Sequence, residues 1–212
     1  MSKRSYDQYC PVAHALDLVG ERWSMLIVKE LMHGPQRYTD LSEHLPGIGT
    51  NILAARLRAL EECGVISKRK LPPPAASRVY ELTDYGRELK PLMRELALWG
   101  ARSLGPPTDA DELFEGWLAN AIDTMLGPFA TEGIFEFRVG DEIATLAGGV
   151  GRSGPAENPD VVVIAKPQGM YCLLIEHRLE GVTVEGDREK LEQVIAAAAP
   201  TQTPVAAGLL TN

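Results

Sequence analysis

The chain has 212 residues, 45% of them hydrophobic and 24% charged, the mix of one ordinary folded domain or two small ones rather than of a disordered or fibrous chain. No run approaches the roughly 18 apolar residues needed to span a bilayer, so no membrane partner is expected. Three widely spaced cysteines, Cys10, Cys63 and Cys172, suggest no disulfide framework and no Cys-based zinc site, and the polar start has no signal-peptide core, so a cytoplasmic setting is the expectation.

In chain order, Pro11 suits the first position of a helix whose Val12, Ala15, Leu16 and Val19 repeat at helical spacing, with Gly20 as its end. A second helix is expected from about Glu21 to Met32, burying Trp23, Leu26, Ile27 and Leu31 and stopped by Gly34-Pro35. Thr39 is positioned to cap a short helix carrying Leu41 and Leu45. Pro46-Gly47-Ile48-Gly49 reads as a turn, and Thr50 as the cap of a helix that stops at Gly64. Two strand-like runs follow, 65–71 and 77–83, joined by the stiff loop 72–76. Thr83-Asp84 then opens a long helix to about Ser103, with Leu89, Leu92, Met93, Leu96 and Trp99 on its apolar stripe.

Gly105-Pro106-Pro107 and the acids after it break the helical pattern, so a domain boundary is placed near residue 106. Charge divides there too. Residues 1–105 carry +3 and residues 106–212 carry −11, together the net −8 of the chain. Such asymmetry points to different partners for the two halves.

The basic charge of the first half is concentrated. On a wheel of about 100° per residue, Leu57 and Leu60 fall within about 40° of Leu53 and form a buried seam. Asn51, Ala55, Arg58 and Glu62 lie near the opposite pole, with Arg56 on the flank. Asn pairs bidentately with adenine and Arg with guanine in the major groove. Thr50 offers a hydroxyl and the free backbone N–H groups of a helix start to a phosphate. Lys68, Arg69, Lys70 and Arg78 place further charge on the two strands behind this helix, as a winged ribbon along a phosphate backbone would. For Lys68–Lys70 alone, a solvated sheet edge is an equally good reading.

Cys10-Pro11, Gly20-x-Arg22-Trp23, Arg37-Tyr38 before Leu41 and Leu45-Pro46-Gly47-Ile48 are similar to signatures of the HxlR family of winged helix-turn-helix regulators, relatives of MarR. So are Leu53-x-x-Arg56-Leu57-x-x-Leu60, Gly64-Val65-Ile66 and Tyr80-x-Leu82-Thr83-x-x-Gly86. The resemblance covers about the first half of the chain. It implies a homodimer joined by the N- and C-terminal helices of this domain, binding near-palindromic double-stranded operator DNA, with Arg37, Thr50, Asn51, Arg56, Arg58, Lys68, Lys70 and Arg78 facing the duplex. The loop 72–76 departs from the family in lacking charge. A cysteine at the position of Cys10 senses oxidants in some members; a thiol before a helix start has a favoured thiolate, but Cys is also an ordinary packing residue.

In the second half, Leu113, Phe114, Trp117, Leu118, Ala121, Ile122, Met125 and Leu126 predict a broad apolar helix over 111–126. Strands are expected at 133–140, 142–148, 160–166 and 181–186, and helices at 167–178 and, capped by Asp187, at 188–199. Helices on a mainly antiparallel sheet give an α+β class. Gly149-x-Gly151-x-x-Gly154 is a literal dinucleotide pattern, but Pro155 and Pro159 follow it, so it reads as a loop and not a cofactor site. The four histidines show no zinc spacing and no nucleophile motif is present, so no metal, no cofactor and no enzyme are expected.

Phe135-x-Phe137 together with Val182-x-Val184-x-Gly186-Asp187 resembles the sterol carrier protein-2 (SCP2)-like fold. That resemblance implies a helix-covered sheet with an apolar tunnel, for which Trp117, Met125, Phe129, Met170, Tyr171 and Leu174 are candidate lining; for any single one of them ordinary core packing is the better reading. The expected organisation is a winged helix-turn-helix domain at 1–105, an SCP2-like domain at 106–200 and a tail at 201–212. The expected protein is a dimeric transcription regulator, most simply a repressor, with a small apolar effector. The alternatives are a lipid carrier that uses its first domain to dimerise, and a redox regulator acting through Cys10.

Overall fold

The structure, a computed structural model, describes residues 5–72, 77–108, 111, 113 and 116–199. Residues 73–76 of the loop expected at 72–76, residues 112, 114 and 115 of the helix expected from 111, and the tail expected from 201 lie outside the described residues. The chain forms two compact units, one reaching to Met93 and one starting at Arg94.

The first unit contains α1 (Pro11–Val19), α2 (Ser24–Leu31), β1 (Gln36–Arg37), α3 (Tyr38–His44), α4 (Thr50–Glu62), β2 (Ile66–Lys70), β3 (Arg78–Leu82) and α5 (Asp84–Arg87). Its three strands form an antiparallel sheet in the order β1-β3-β2. Val19, Ile27, Val28, Leu31, Leu41, Leu45, Leu53, Leu57, Leu60, Val65 and Leu82 make one core under the helices. Helices α2, α3 and α4 followed by the β2–β3 ribbon make a winged helix-turn-helix.

Local chemistry moves several expected boundaries. α2 begins at Ser24 rather than near Glu21, because Trp23 takes φ +81°, a conformation that ends any helix upstream of it. α3 begins at Tyr38: the Asp40 carboxylate accepts the Arg37 backbone N–H at 2.9 Å and supplies the cap expected of Thr39. The long helix expected from Thr83 is two. Thr83 caps α5 by accepting from Gly86 N at 3.0 Å, and after Arg87 the chain breaks before α6 (Lys90–Ala101). Pro91 explains the break, since it has no N–H for the Arg87 carbonyl and its ring disfavours helix just before it. The apolar stripe expected of α1 is not buried within the unit: Val19 is, with Ala13, but Val12 is 67% exposed and Leu16 is exposed as well.

The second unit holds α7 (Trp117–Met125), β4 (Ile134–Val139), β5 (Glu142–Ala147), β6 (Val150–Ser153), β7 (Val161–Ala165), α8 (Pro167–Leu174), β8 (Val182–Gly186) and α9 (Arg188–Ala198). The sheet order is β6-β5-β4-β7-β8, with β4 and β7 parallel and the other three pairs antiparallel. Alternation along β4 sends Phe135 and Phe137 to one face, where Leu118 and Ile122 of α7, Met170, Leu173 and Leu174 of α8, and Leu191 and Ile195 of α9 bury them. On the opposite face Glu136, only 2% exposed, accepts from Ala156 N at 2.7 Å and from Arg138 Nε at 2.6 Å. Burial pushes its carboxyl up, but the Ala156 N–H and the Arg138 guanidinium prevail and hold it below the usual carboxylate range.

The glycine-rich stretch expected to be a loop contains β6. Gly148 and Gly149, at φ +56° and +77°, make the two-residue turn that folds β6 back on β5. Gly151 N donates to Asp123 Oδ1 at 2.9 Å, and a Cβ on Gly151 would stand 2.4 Å from the Ala119 carbonyl of α7. The glycine pattern thus serves a hairpin and a close helix–strand approach. Gly151→Ala is expected to destabilise the chain by about 2 kcal/mol through this overlap; denaturant unfolding checks it, and an unchanged midpoint refutes the packing account.

Candidate nucleic-acid interface

The helix α4 is held by its seam. Leu53, Leu57 and Leu60 are buried, while Asn51, Ala55, Arg58 and Glu62 are exposed. Its start is fixed by Tyr38, whose hydroxyl donates to the Thr50 carbonyl at 2.8 Å. Thr50 is the first helical residue and Gly49 the N-cap, so the early backbone N–H groups and the Thr50 and Asn51 side chains stand exposed at the amino end of the helix. Arg58 makes no hydrogen bond or ion pair among the described residues. Arg56 does: Nη2 lies 2.9 Å from Glu21 Oε2, and Nε donates to the Arg22 carbonyl at 3.3 Å.

In the ribbon, β2 pairs with β3 so that Lys68 faces Tyr80 and Lys70 faces Arg78. Strand alternation puts Lys68, Lys70 and Arg78 on one face and Arg69 on the other. Arg69 is committed there, Nε and Nη2 each 2.9 Å from a Glu81 oxygen; this pairing, through hydrogen bonding first, lowers the Glu81 carboxyl and raises the guanidinium. The Lys68 ammonium lies 5.1 Å from the Tyr80 ring centroid. Lys70 and Arg78 confront each other across the strands, two cations where an acid would be favourable. β1 adds Arg37, exposed and opposite Val79 on the free side of β3. The structure therefore places Lys68, Lys70 and Arg78 on one face of the small sheet and Arg37, in register with Val79, on the other, with Thr50, Asn51 and Arg58 on one exposed helix surface.

Sequence reasoning missed three contacts: Tyr38 to Thr50, Arg69 to Glu81 and Arg56 to Glu21. Only the second had a local signal, since a hairpin register across 66–82 makes positions 69 and 81 diagonal neighbours. Cys10 is half-buried at the N-cap of α1, and its side chain makes no capping bond.

Of the residues expected to line a ligand tunnel, Met170 and Leu174 lie inside the second core, and Trp117 and Met125 pack against it half-buried. The Tyr171 hydroxyl donates to the Leu104 carbonyl at 2.9 Å, and burial pushes its phenol up. Phe129 is at the surface with the Arg94 guanidinium over its ring at 5.9 Å. None of the six borders the open depression of about 320 Å³ formed by His177, Leu179, Glu192, Ile195, Ala196 and Ala199. Among the described residues no cluster of His, Cys, Asp and Glu could hold a metal ion, and no helix is long and apolar enough to cross a membrane.

A family model described as HxlR-like helix-turn-helix matches residues 18–107. The uncharacterized HTH-type transcriptional regulator YvaP of Bacillus subtilis is 33% identical over 47% of this chain and 93% of its own length. The HTH-type transcriptional regulator YodB of the same organism is 34% identical over 46% of this chain and 88% of its own. A structure of the reduced form of YodB from B. subtilis, 32% identical, covers 48% of this chain and 100% of that one, with a TM-score of 0.41.

The unmatched pair in the ribbon carries a stability expectation. Arg78→Glu turns two confronting cations into an ion pair and is expected to stabilise the chain by about 0.5 kcal/mol. Thermal melting reads this as a rise of about 1–2 °C for a chain of this size; a fall in the midpoint contradicts the like-charge assignment.

Proposed function

From the premise that the chain belongs to the HxlR-like helix-turn-helix family through its first unit, we propose that it is a sequence-specific repressor binding a near-palindromic operator as a homodimer. Its relatives are HTH transcriptional regulators, not enzymes, and DNA-binding regulation is the family's activity. The observation that carries the reading is the surface of α4. A buried leucine seam turns Asn51 and Arg58 outward, and a ribbon with Lys68, Lys70 and Arg78 on one face stands behind it.

In this reading α4 enters the major groove with its amino end leading, where Arg58 and Asn51 reach base edges. Thr50 and the N–H groups beside it take a phosphate. Arg37, Lys68, Lys70 and Arg78 follow the backbone, and the Lys70–Arg78 repulsion is relieved when a phosphate lies between them. Two further features support a dimer: α1 leaves Val12 and Leu16 uncovered, and α6 has no buried residue, with Leu92, Leu96 and Trp99 (69% exposed) at helical spacing. Paired chains would bury both faces and set two recognition helices one DNA turn apart.

The test is selection of duplexes from a random pool by the full chain. Arg58→Ala should weaken the selected duplex about tenfold and relax preference at one base position, whereas Arg78→Glu should weaken all duplexes and reduce the salt slope by at least about one. Sedimentation should find two chains per duplex, and Leu96→Glu should abolish that stoichiometry. Selected duplexes bound undiminished by Arg58→Ala refute the interface.

For the second unit the proposed role is an SCP2-like module that takes a small apolar effector and, by binding one conformation better, shifts operator affinity. A sheet with all three helices on its apolar face supports this. Solvent extraction of the purified chain followed by mass spectrometry should yield a co-purified apolar compound in stoichiometric amount. If none appears and no apolar additive shifts DNA affinity, the effector role falls.

A further inference from the structure

Arg56 shares α4 with Arg58, but the two lie about 200° apart on the helical wheel and meet different surroundings. Arg58 projects into solvent. The Arg56 side chain is 25% exposed and folds back along the helix to the corner between α1 and α2. Its guanidinium uses two donors there, one to the Glu21 carboxylate and one to the Arg22 carbonyl, the forked geometry that favours Arg over Lys.

That corner is itself tightly held. Trp23 takes φ +81° and ψ −21°, a conformation costly for a bulky side chain, and it persists because its surroundings over-determine it. Its indole packs on the first core, and the Arg22 guanidinium stacks above it at 5.3 Å. The far edge of the same ring, Cη2, stands 4.0 Å from where a Cβ on Gly47 would be. One corner therefore touches both the turn that delivers α4 and the middle of α4.

We infer that Arg56 is a positioning residue of the recognition helix and not a base-reading one: tied to Glu21 and the Arg22 carbonyl, it sets the roll of α4 about its axis and so decides which bases Asn51 and Arg58 reach. This rests on the reading of α4 as the recognition helix. A seam of three leucines resists withdrawal of the helix but resists roll weakly, because the contacts are apolar and non-directional. A side-chain group about 6 Å from the axis moves about 2 Å for a roll of about 20°, enough to lose a hydrogen bond. The flank tie of Arg56 is directional and removes that freedom.

Glu21 separates this account from simple electrostatics. Deleting a negative charge near DNA would by itself tighten binding, whereas losing a positioning tie weakens it. The probes are the duplex that the wild-type chain selects from a random 30-base-pair pool and an unrelated duplex of equal length. Glu21→Gln is expected to weaken the selected duplex about three- to tenfold while leaving the unrelated duplex unchanged or tighter. Arg56→Gln is expected to give the same loss with an unchanged salt slope, and the double variant no further loss, since both remove one tie. Glu21 is 46% exposed, so folding survives its replacement, and a melting curve verifies this. The inference is overturned if Glu21→Gln leaves the selected duplex unaffected or binds it more tightly. It is equally overturned if Arg56→Gln alters preference at a single base or lowers the salt slope by about one. A wild-type chain that selects no duplex overturns the repressor reading itself, before any variant is made.

Discussion

The first unit depends on the burial of Leu53, Leu57 and Leu60 against Ile27, Val28, Leu31 and Leu41. Each fully buried leucine contributes about 1.5–3 kcal/mol of transfer free energy, so this one seam rivals the net stability of a small domain. It also dictates orientation. With the leucines inside, the residues half a turn away have nowhere to go but outward, and the chemistry of that outward surface is then free to be chosen for a partner. A packing constraint thus fixes which side of the helix faces outward.

Charge is distributed by the same logic. Of the basic residues in the ribbon, Arg69 is matched bidentately to Glu81 and Lys68 rests over Tyr80, which leaves Lys70 and Arg78 as the unmatched pair. On α4, Arg56 is matched to Glu21 and Arg58 is not. In both places a satisfied cation sits beside an unsatisfied one. The satisfied member ties its side chain to the fold, and the unsatisfied member presents its charge to solvent. Functional sites commonly keep such locally unfavourable groups on rigid supports.

Much of this was legible in the residues. The periodicity of α4, the ribbon, the N-cap Asp187 and the strands β4, β5, β7 and β8 of the second sheet follow from local pattern, because local pattern is what sets them. What escaped has physical reasons. Gly148-Gly149 between apolar runs is a hairpin signal, but the glycines and prolines that follow read as a loop, because β6 is a short strand with a glycine inside it and little apolar alternation. Pro91 splits a helix that apolar spacing alone would run straight through. The stripe of α1 is legible as apolar, but periodicity says which face is apolar and not what covers it: within its own unit Val12 and Leu16 stay exposed. The partner of Arg56 lies 35 residues upstream, beyond the reach of any spacing rule.

The Glu136 carboxylate bears on the second unit as a whole. An ionised group sealed beneath the Ala156 N–H and braced by Arg138 sits at the middle of one side of the sheet, where any greasy guest would have to strip it of its hydrogen bonds. The two sides of the sheet therefore differ: one is dry, under α7, α8 and α9, and on the other the Glu136–Arg138 pair is set beside Val162 and Ile164. For an oily molecule to reach the face that carries Phe135 and Phe137, α7, α8 or α9 would have to part from the strands they cover, a breathing motion of the helical layer.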